Sequence, residues 1–408
     1  MNAIARGNLD RRLGLIGILL VLVCSAGLAI WSGDSLRYGD EIDYHELAQS
    51  LVHKHEFATS SGRITLFRPP GYAFGLAAVY EVTESPVVAK LLNCLALAAS
   101  CYLLMRLSRR IFPTYSALAP YLVLFYPVFL YAASTLYPQT FGGLLFLASI
   151  LLLSGPELGW RRQVAAGLIY GILCLAIPSF LYIIPFFLAY LLFGRQRPDK
   201  WSVASCAVFG AAIAITIAPW TIRNSMEFHA FVPVSANGGF NLVIGNSPAT
   251  RANGKPTLKE ACGQVPYIPN EVEFDRALTR CAIDWITGSP KAATRLYFGK
   301  LLNYFNFQNE LATVTQATSW QDWAVFATYY PLLIVALLRL AMIRRYPCSR
   351  VEWLLYAIYF GNGVLTAVFF TRLRFRMPFD LLLVAIDSAF LARLLAGARR
   401  DAASTPPA

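Results

Sequence analysis

Charged side chains are scarce in this chain of 408 residues: Asp, Glu, Lys and Arg make up 14% of it, whereas 57% of the residues are hydrophobic. Soluble globular domains carry about a quarter charged residues, so the composition excludes a chain built mainly from soluble domains. The length allows many membrane spans and one sizeable water-exposed region. We therefore predict an all-α polytopic membrane protein.

Metal-binding patterns are also missing. The sequence has four histidines and eight cysteines, but no HExxH sequence and no tandem cysteine pairs, so nothing in it indicates zinc. Most of the cysteines lie in apolar runs, where they act as small hydrophobic residues. Cys262 and Cys281 share a long polar region and could form a disulfide in an oxidising compartment. The alternative is two buried thiols.

No soluble basic domain accounts for the net charge of +12, so nucleic acid is not an expected partner. The basic residues instead cluster at alternate ends of the apolar runs, at 11–12, 106–110, 161–162, 195–200, 344–345 and 399–400. The positive-inside rule places these ends in the cytoplasm, together with both termini. Anionic membrane lipids are the expected partners of this charge. We interpret the first apolar run as an uncleaved anchor.

Ten apolar segments are candidate spans, since a spanning helix needs roughly 20 residues: 13–31, 86–105, 114–132, 138–154, 163–177, 180–193, 202–220, 322–343, 351–370 and 377–396. The shorter run Tyr72–Val82 is expected at the membrane interface. The predicted order is an N-terminal transmembrane region (1–222) with a first external loop (32–85), an extracytoplasmic domain (223–320), C-terminal transmembrane helices (321–398) and a disordered tail (399–408).

The predicted extracytoplasmic domain has mixed signals. Phe231–Pro248 places the turn sequence Asn237-Gly238-Gly239 between short β-prone runs. From Asn270 onward, two amphipathic helices are expected, with a break at Gly288-Ser289-Pro290. The domain is therefore predicted to be small and mixed α/β.

An acidic stretch follows the first apolar run. On a helix, Asp40, Asp43 and Tyr44 would share one face, and Glu41 and His45 the adjacent face. Charges at the edge of a bilayer are costly and often mark a substrate site. This stretch could supply a general base and a carboxylate that positions substrate. The alternative is a solvated acidic loop that caps a helix.

Three arginines, Arg372, Arg374 and Arg376, lie in a short turn that the topology places outside. Positive charge is disfavoured there, and guanidinium groups match phosphate oxygens well, so we predict an anionic ligand. The alternative is that these side chains extend to lipid headgroups. Arg68, in the sequence Arg-Pro-Pro beside the acidic loop, and Arg223, in PWTIRN, are further candidates, although these sequences also suit a helix start and an interfacial belt.

These motifs occur in a fixed order: DEIDY, FRPPGY, APWTIRN, VSANGGFNLVIGN and RLRFRMPF. Together they resemble the bacterial branch of the protein mannosyltransferase-like GT-C glycosyltransferases, family 39 and its relatives, which include the aminoarabinose transferases of lipid A. The resemblance extends from about Arg11 to Arg400. It implies a GT-C-type bundle of about ten helices in the bacterial inner membrane, acting at the periplasmic face.

The resemblance also implies site roles. Asp40 matches an essential acid of the first external loop, with Glu41 and Asp43 as catalytic neighbours, and it would act as base in an inverting transfer from a polyprenyl-phosphate-linked sugar. The expected substrate-binding residues are Tyr44, Arg68, Tyr72, Gln139, Arg223, Arg372, Arg374 and Arg376. Gln139 stands where the family often has a carboxylate, and an amide cannot act as a base.

No metal is required in principle because phosphate is already a competent leaving group, although a divalent cation bridging Glu41 or Asp43 is an alternative. The acceptor would be a lipid, a glycan or a protein, with Tyr267, Trp285 or Tyr297 as possible sugar-stacking rings.

Two other classes of protein fit parts of the sequence. A transporter or flippase of a lipid-linked sugar would also place charges near the bilayer, but transporters commonly show internal repeats and broken mid-membrane helices. A non-catalytic scaffold would explain the glutamine at position 139. The ionisable groups of this chain are concentrated at the outer rim, and this favours an enzyme.

Overall fold

The computed structural model describes residues 3–113, 116–155, 159–193, 200–254, 256–263, 268–308 and 319–404. Within these ranges the chain forms helices and two isolated β-bridges, with no strand. The helices are α1 Ala3–Ser32, α2 Gly39–Lys54, α3 Pro70–Tyr80, α4 Pro86–Ile111, α5 Leu118–Phe125, α6 Pro127–Ala133, α7 Pro138–Leu153, α8 Trp160–Ala176, a 3-10 helix Pro178–Ile183, α9 Ile184–Phe193, α10 Lys200–Phe228, α11 Gly238–Gly245, α12 Leu258–Cys262, α13 Glu271–Gly288, α14 Pro290–Tyr304, α15 Ser319–Ala341, α16 Arg350–Thr366 and α17 Leu373–Ser404.

The all-α prediction is confirmed, but fewer than ten of the described helices have the length and composition of a membrane span. Among the described residues, α1, α4, α10 and α15 are long and apolar enough to cross a membrane, and α6 with α7 makes a fifth if this pair, bent by 111°, is one span. The predicted segment 114–132 breaks before Pro127, which lacks an amide hydrogen and starts a new helix. Helices α8 and α16 have 17 residues each.

The helix α17 lies at the centre of the bundle, packed against α4, α5, α7, α15 and α16. Residues 376–390 are all buried, and they include two carboxylates, Asp380 and Asp387. Charged groups within a membrane bundle face its interior rather than lipid. This explains why α17 is less apolar than the outer helices. The helix α17 continues to Ser404, although residues 399–408 were predicted to form a disordered tail. Residues 405–408 lie outside the described ranges.

The mixed α/β prediction for the polar region is wrong for the part that the structure describes. The two helices expected after Asn270 are present as α13 and α14, and the side chain of Asn270 accepts hydrogen bonds from the first turn of α13. The stretch predicted as β-prone instead contains α11. The carboxylate of Asp275 on α13 accepts the amide hydrogens of Gly239 and Phe240, at 2.8 and 3.2 Å, and so caps α11 from a distant part of the sequence.

Close packing fixes α11 on α13. A Cβ atom on Gly239 would collide with the carbonyl oxygen of Asp275, so only glycine permits this approach of the two backbones. A disulfide between Cys262 and Cys281, with Cα atoms 6.2 Å apart, joins α12 to α13 and confirms that pairing. The helices α11, α12 and α13 thus pack around an apolar core to which Phe370 also contributes.

Candidate active site

Four charged side chains meet in a group that we call the Asp40 cluster: Asp40, Asp43, Arg68 and Arg374. Asp40 accepts hydrogen bonds from Nη2 of Arg68 at 2.7 Å and from Nη1 of Arg374 at 2.5 Å. Arg68 also donates to Oδ2 of Asp43 through Nε at 2.9 Å and Nη2 at 2.6 Å. Two carboxylates and two guanidinium groups therefore share one continuous network.

Local structure explains only part of this network. Asp40 and Asp43 lie one turn apart on α2, as the spacing predicted, so one guanidinium reaches both. Arg68 stands just before Pro69 and Pro70, where the chain enters α3. Arg374 lies in the first turn of α17, 334 positions from Asp40. Only the folding of the whole chain brings these two residues together.

The cluster is largely shielded from solvent. The exposed side-chain fraction is 23% for Asp40, 19% for Arg68 and 16% for Arg374, whereas Asp43 is 45% exposed. Burial acts to raise the pKa of Asp40, but the positive charges of Arg374 and Arg68 outweigh it and hold the pKa below its ordinary value. Asp40 is therefore an ionised carboxylate, and the cluster as a whole is close to neutral.

Glu41 is buried and faces away from this network. One of its oxygens accepts the amide hydrogens of Arg37 and Tyr38, at 2.9 and 3.1 Å, and the other accepts that of Leu136 at 2.8 Å. Both oxygens are thus engaged by backbone donors. Glu41 ties the start of α2 to the turn between α6 and α7, and so fixes where Asp40 stands.

Aromatic side chains form the wall beneath the cluster. The ring of Tyr44 packs edge-on against that of Tyr72 with ring centroids 5.2 Å apart, and the hydroxyl of Tyr72 accepts a hydrogen bond from Asn93 at 2.9 Å. Tyr137, just before α7, contacts Nη1 of Arg374 through its hydroxyl at 3.2 Å. Sequence reasoning missed Tyr137, although it lies two positions before the candidate Gln139.

The three arginines of the 372–376 turn do not form one site. Arg376 is fully buried, where it donates to Asp380 at 3.2 Å and to the carbonyl oxygen of Tyr304 at 2.6 Å, and its guanidinium lies 3.6 Å from the ring centroid of Tyr329. Arg372 is also buried, and its guanidinium lies over the ring of Phe370. Positions 374 and 376 are about 200° apart around a helix, so their side chains point to different surroundings.

Two further candidates lie apart from the network. Arg223 stacks on the ring of Trp220 at 4.7 Å and donates to the carbonyl oxygen of Thr65 at 3.3 Å, which holds the loop before Arg68. Gln139 is buried in the first turn of α7, and its Oε1 atom has no hydrogen-bond partner among the described residues.

The loop before Arg68 is also clamped from the other side. Glu271, the first residue of α13, accepts hydrogen bonds from the hydroxyl of Thr65 and the amide of Leu66, both at 2.8 Å, and pairs with Arg63 at 3.3 Å. Asn237 donates to the carbonyl oxygen of Phe67 at 2.9 Å. No sequence pattern predicts this clamp, because Glu271 resembles an ordinary acidic residue at a helix start.

The structure describes two of the three aromatic residues that were predicted to stack on a sugar. Tyr267 is not among the described residues. Trp285 is half-buried on α13, and Tyr297 on α14 donates from its hydroxyl to the carbonyl oxygen of Val364 at 3.1 Å.

The described ranges contain no group of three or more His, Cys, Asp or Glu side chains placed to hold a metal ion. Glu41 does not fit the bridging role considered for a divalent cation, because backbone donors occupy both of its oxygens.

Comparison with known proteins gives a fold but no family. No protein-family model and no curated protein matches the sequence. The archaeal oligosaccharyltransferase AglB from Archaeoglobus fulgidus, solved with an inhibitory peptide and a dolichol-phosphate, matches 96% of this chain with a TM-score of 0.56 and 13% identity. A second AglB structure, tethered with an acceptor peptide, matches 95% of the chain with a TM-score of 0.54 and 13% identity.

The chain spans about half the length of AglB, 52% and 51% in the two structures. ArnT from Cupriavidus metallidurans, bound to undecaprenyl phosphate, aligns with 98% of this chain and 80% of its own at 14% identity, with a TM-score of 0.44. At such low identity, the likeness to AglB establishes a shared fold. The GT-C-type fold that the ordered motifs implied is thereby confirmed.

Proposed function

We propose that this chain is a membrane glycosyltransferase. It transfers a sugar from a polyprenyl-phosphate-linked donor to a cell-envelope acceptor at the periplasmic face of a bacterial inner membrane. The observation that carries the proposal is the Asp40 cluster, which places an ionised carboxylate between two guanidinium groups. Support comes from the fold shared with AglB, a protein solved with a dolichol-phosphate.

The proposed reaction is one displacement at the anomeric carbon. An acceptor hydroxyl oxygen forms a bond to that carbon while its proton passes to Asp40. The bond from the anomeric carbon to the phosphate oxygen breaks, and its electron pair leaves with the polyprenyl phosphate. Arg68 and Arg374 stabilise the charge that develops on the departing phosphate. The sugar is transferred with inversion.

The pairing of Asp40 explains how the base would be controlled. A carboxylate held by two guanidinium groups is a weak base, because they stabilise its ionised form. A donor phosphate offers these arginines a competing anion. When Arg68 and Arg374 turn to the phosphate, Asp40 loses its partners and its proton affinity rises. Donor binding therefore activates the base in the same step that neutralises the leaving group.

The remaining acidic candidates take supporting roles in this proposal. Glu41 positions the start of α2, since both of its oxygens bind backbone amides. Asp43 orients Arg68 through two hydrogen bonds. We propose no metal requirement, and measuring transfer with and without a chelator tests it.

The disulfide supports an external location for the cluster. Disulfides persist in oxidising compartments such as the bacterial periplasm. The Cys262–Cys281 disulfide joins α12 to α13, and Glu271 of α13 clamps the loop that carries Arg68. The Asp40 cluster therefore belongs on the same side of the membrane as the disulfide.

One structural feature favours a transporter or flippase of a lipid-linked sugar as the alternative. The pair α6–α7 bends by 111°, and the amide of Leu136 at this bend binds Glu41, so a broken helix adjoins the candidate site. Broken helices near a binding site are common in transporters. A non-catalytic scaffold is the third class.

The variant Asp40→Asn distinguishes the proposed enzyme from a scaffold, which would lose nothing, when it is expressed in the native host at a verified membrane abundance. The proposal predicts that cell-envelope glycans lose the transferred sugar and that the lipid-linked donor accumulates, both measured by mass spectrometry. Asp284→Asn, at an exposed acid on α13, is the matched control. Unchanged glycosylation in a well-expressed Asp40→Asn strain would contradict the assignment of Asp40 as base.

A further inference from the structure

A cavity of about 380 Å³ opens beside the Asp40 cluster. It is bounded by α2, by the loop that ends at Arg68, by the start of α11 and by α12 and α13. Asp43 and Arg68 belong both to its lining and to the cluster. A molecule in this cavity would therefore lie directly next to the network that contains Asp40. Its size is within the usual range for small-ligand sites.

The charged groups of this cavity are unbalanced. Its lining contains four carboxylates, Asp43, Glu46, Glu271 and Asp275, against two guanidinium groups, Arg63 and Arg68. Both arginines are already paired, Arg63 with Glu271 and Arg68 with Asp40 and Asp43. The cavity thus has two carboxylates more than guanidinium groups.

The surplus resides in Glu46 and Asp275. Within the described part of the chain, Glu46 makes neither a hydrogen bond nor an ion pair. Asp275 accepts two backbone amide hydrogens through Oδ1 and has no cationic partner among those residues. Burial raises the pKa of Asp275, although these amides act in the opposite direction. An additional negative charge in the cavity would meet repulsion from both carboxylates, whereas a cation would be attracted.

Apart from Thr59 and Thr65, the rest of the lining is apolar and aromatic. Phe67 and Phe240 pack edge to face with ring centroids 5.6 Å apart, and Phe274 adds a third ring. Aromatic rings bind the apolar faces of ring-shaped ligands, and carboxylates accept hydrogen bonds from hydroxyl groups. This combination suits a sugar ring.

We propose that this cavity is the acceptor subsite, and that it takes a sugar unit that is uncharged or carries an amine, in preference to one that carries a carboxylate or phosphate. This inference rests on the proposed glycosyltransferase function and adds the chemical class of the acceptor. The negative charge of the donor and that of the cavity are kept apart: phosphate goes to Arg68 and Arg374, and the acceptor goes to the acidic side. A hydroxyl group of the bound sugar would then adjoin the Asp40 cluster.

Binding of three matched probes to the purified full-length protein tests the proposal without transfer activity. The probes are methyl glucosaminide, which is cationic at slightly acidic pH, methyl glucoside, which is neutral, and methyl glucuronide, which is anionic. Saturation-transfer NMR in nanodiscs at low and high salt gives their affinities. We expect the first two to bind more tightly than the glucuronide by about 1.5-fold to fivefold, the range for an exposed charge interaction, and this preference to shrink at high salt.

Two variants connect that preference to the cavity. Asp275→Asn keeps an oxygen for the amides of Gly239 and Phe240, and Glu46→Gln loses no bond, so both are expected to fold. Each should weaken binding of the glucosaminide and strengthen binding of the glucuronide, whereas the control Asp284→Asn should change neither. A preference for the glucuronide, an equal effect of Asp284→Asn, or no binding of any probe would overturn the proposal.

The transfer reaction is a separate arm. If Asp40→Asn leaves sugar transfer unchanged while the probes bind as expected, the proposed catalytic function fails but the charge selectivity of the cavity stands. If Asp40→Asn abolishes transfer while the probes show no preference, the acceptor inference fails alone.

Discussion

Removing the carboxylate of Asp40 should tighten binding of the donor phosphate and, at the same time, strongly slow sugar transfer. In the structure, Asp40 occupies one Nη group of Arg68 and one of Arg374. A phosphate must displace these interactions before it can use either guanidinium group. In Asp40→Asn the competing charge is gone, and a neutral amide oxygen is a weaker acceptor for the same donors.

The magnitude follows from the shielding of the cluster. Asp40, Arg68 and Arg374 are each less than a quarter exposed, so screening by solvent is partial. A hydrogen bond to a charged group contributes about 1.5–3 kcal/mol, and an exposed ion pair at most about 1 kcal/mol. Because the amide retains part of this interaction, we expect a net gain of about 1–2 kcal/mol, or roughly five- to thirtyfold in affinity. Transfer should fall by about 10²- to 10⁴-fold, the usual contribution of a general base.

Titration of the purified protein with polyprenyl phosphate, followed by tryptophan fluorescence, measures the affinity. Arg374→Gln should weaken binding, and the double variant with Asp40→Asn should show that the gain depends on Arg374. Asp284→Asn is the neutralising control. Weaker binding to a well-folded Asp40→Asn protein would refute the competition between carboxylate and phosphate, because it would mean that Asp40 helps to hold the donor.

Four further measurements test separate parts of the structure. Glu41→Gln leaves a buried backbone amide without a charged acceptor, which should cost about 1–3 kcal/mol of stability and lower the unfolding temperature in detergent; an unchanged temperature would contradict the role of Glu41 in positioning α2. Replacing Cys262 and Cys281 by serine opens a loop with a sequence separation of 19, for which chain entropy predicts about 3 kcal/mol, and should speed proteolysis between α12 and α13; equal cleavage of the oxidised protein would count against this. Because the pKa of Asp40 is lowered, its ion pairs are fully present above its ordinary pKa of 3.8 and are lost only as the pH falls below that value. The stability difference between wild type and Asp40→Asn should therefore hold from about pH 7 to about pH 4. A difference that disappears near pH 6 would refute the pairing. Thr287→Cys, at an exposed position on α13, should react with a membrane-impermeant maleimide in cells with an intact inner membrane, above the labelling of the wild-type cysteines; reaction only after lysis would reverse the topology.

The helices of this chain were predictable where local periodicity decides them. The break between α13 and α14 follows from Gly288-Ser289-Pro290, and the shared face of Asp40 and Asp43 follows from their spacing. In contrast, α11 was predicted as β-prone, because its cap comes from Asp275 on a different helix. No pattern within Phe231–Pro248 contains that information.

The three arginines of the 372–376 turn show the same limit. Their composition indicated an anion site, but the structure brings only Arg374 to Asp40 and buries Arg376 against Asp380 and Tyr329. Whether residues 373–376 are extended or helical decides which side chains share a face, and in the structure they form the first turn of α17. In an extended chain, positions 374 and 376 point the same way; in a helix they do not.

Composition and periodicity are local properties, and they are enough to predict a helical membrane protein with an acidic helix and an arginine-rich turn. Which charges meet depends on how the whole chain folds. Asp40 and Arg374 are 334 positions apart, and their contact depends on α17 passing through the centre of the bundle. The different environments of Glu41 and Asp40 have the same origin: adjacent residues on α2 face different neighbours, and one carboxylate binds the backbone while the other binds two guanidinium groups.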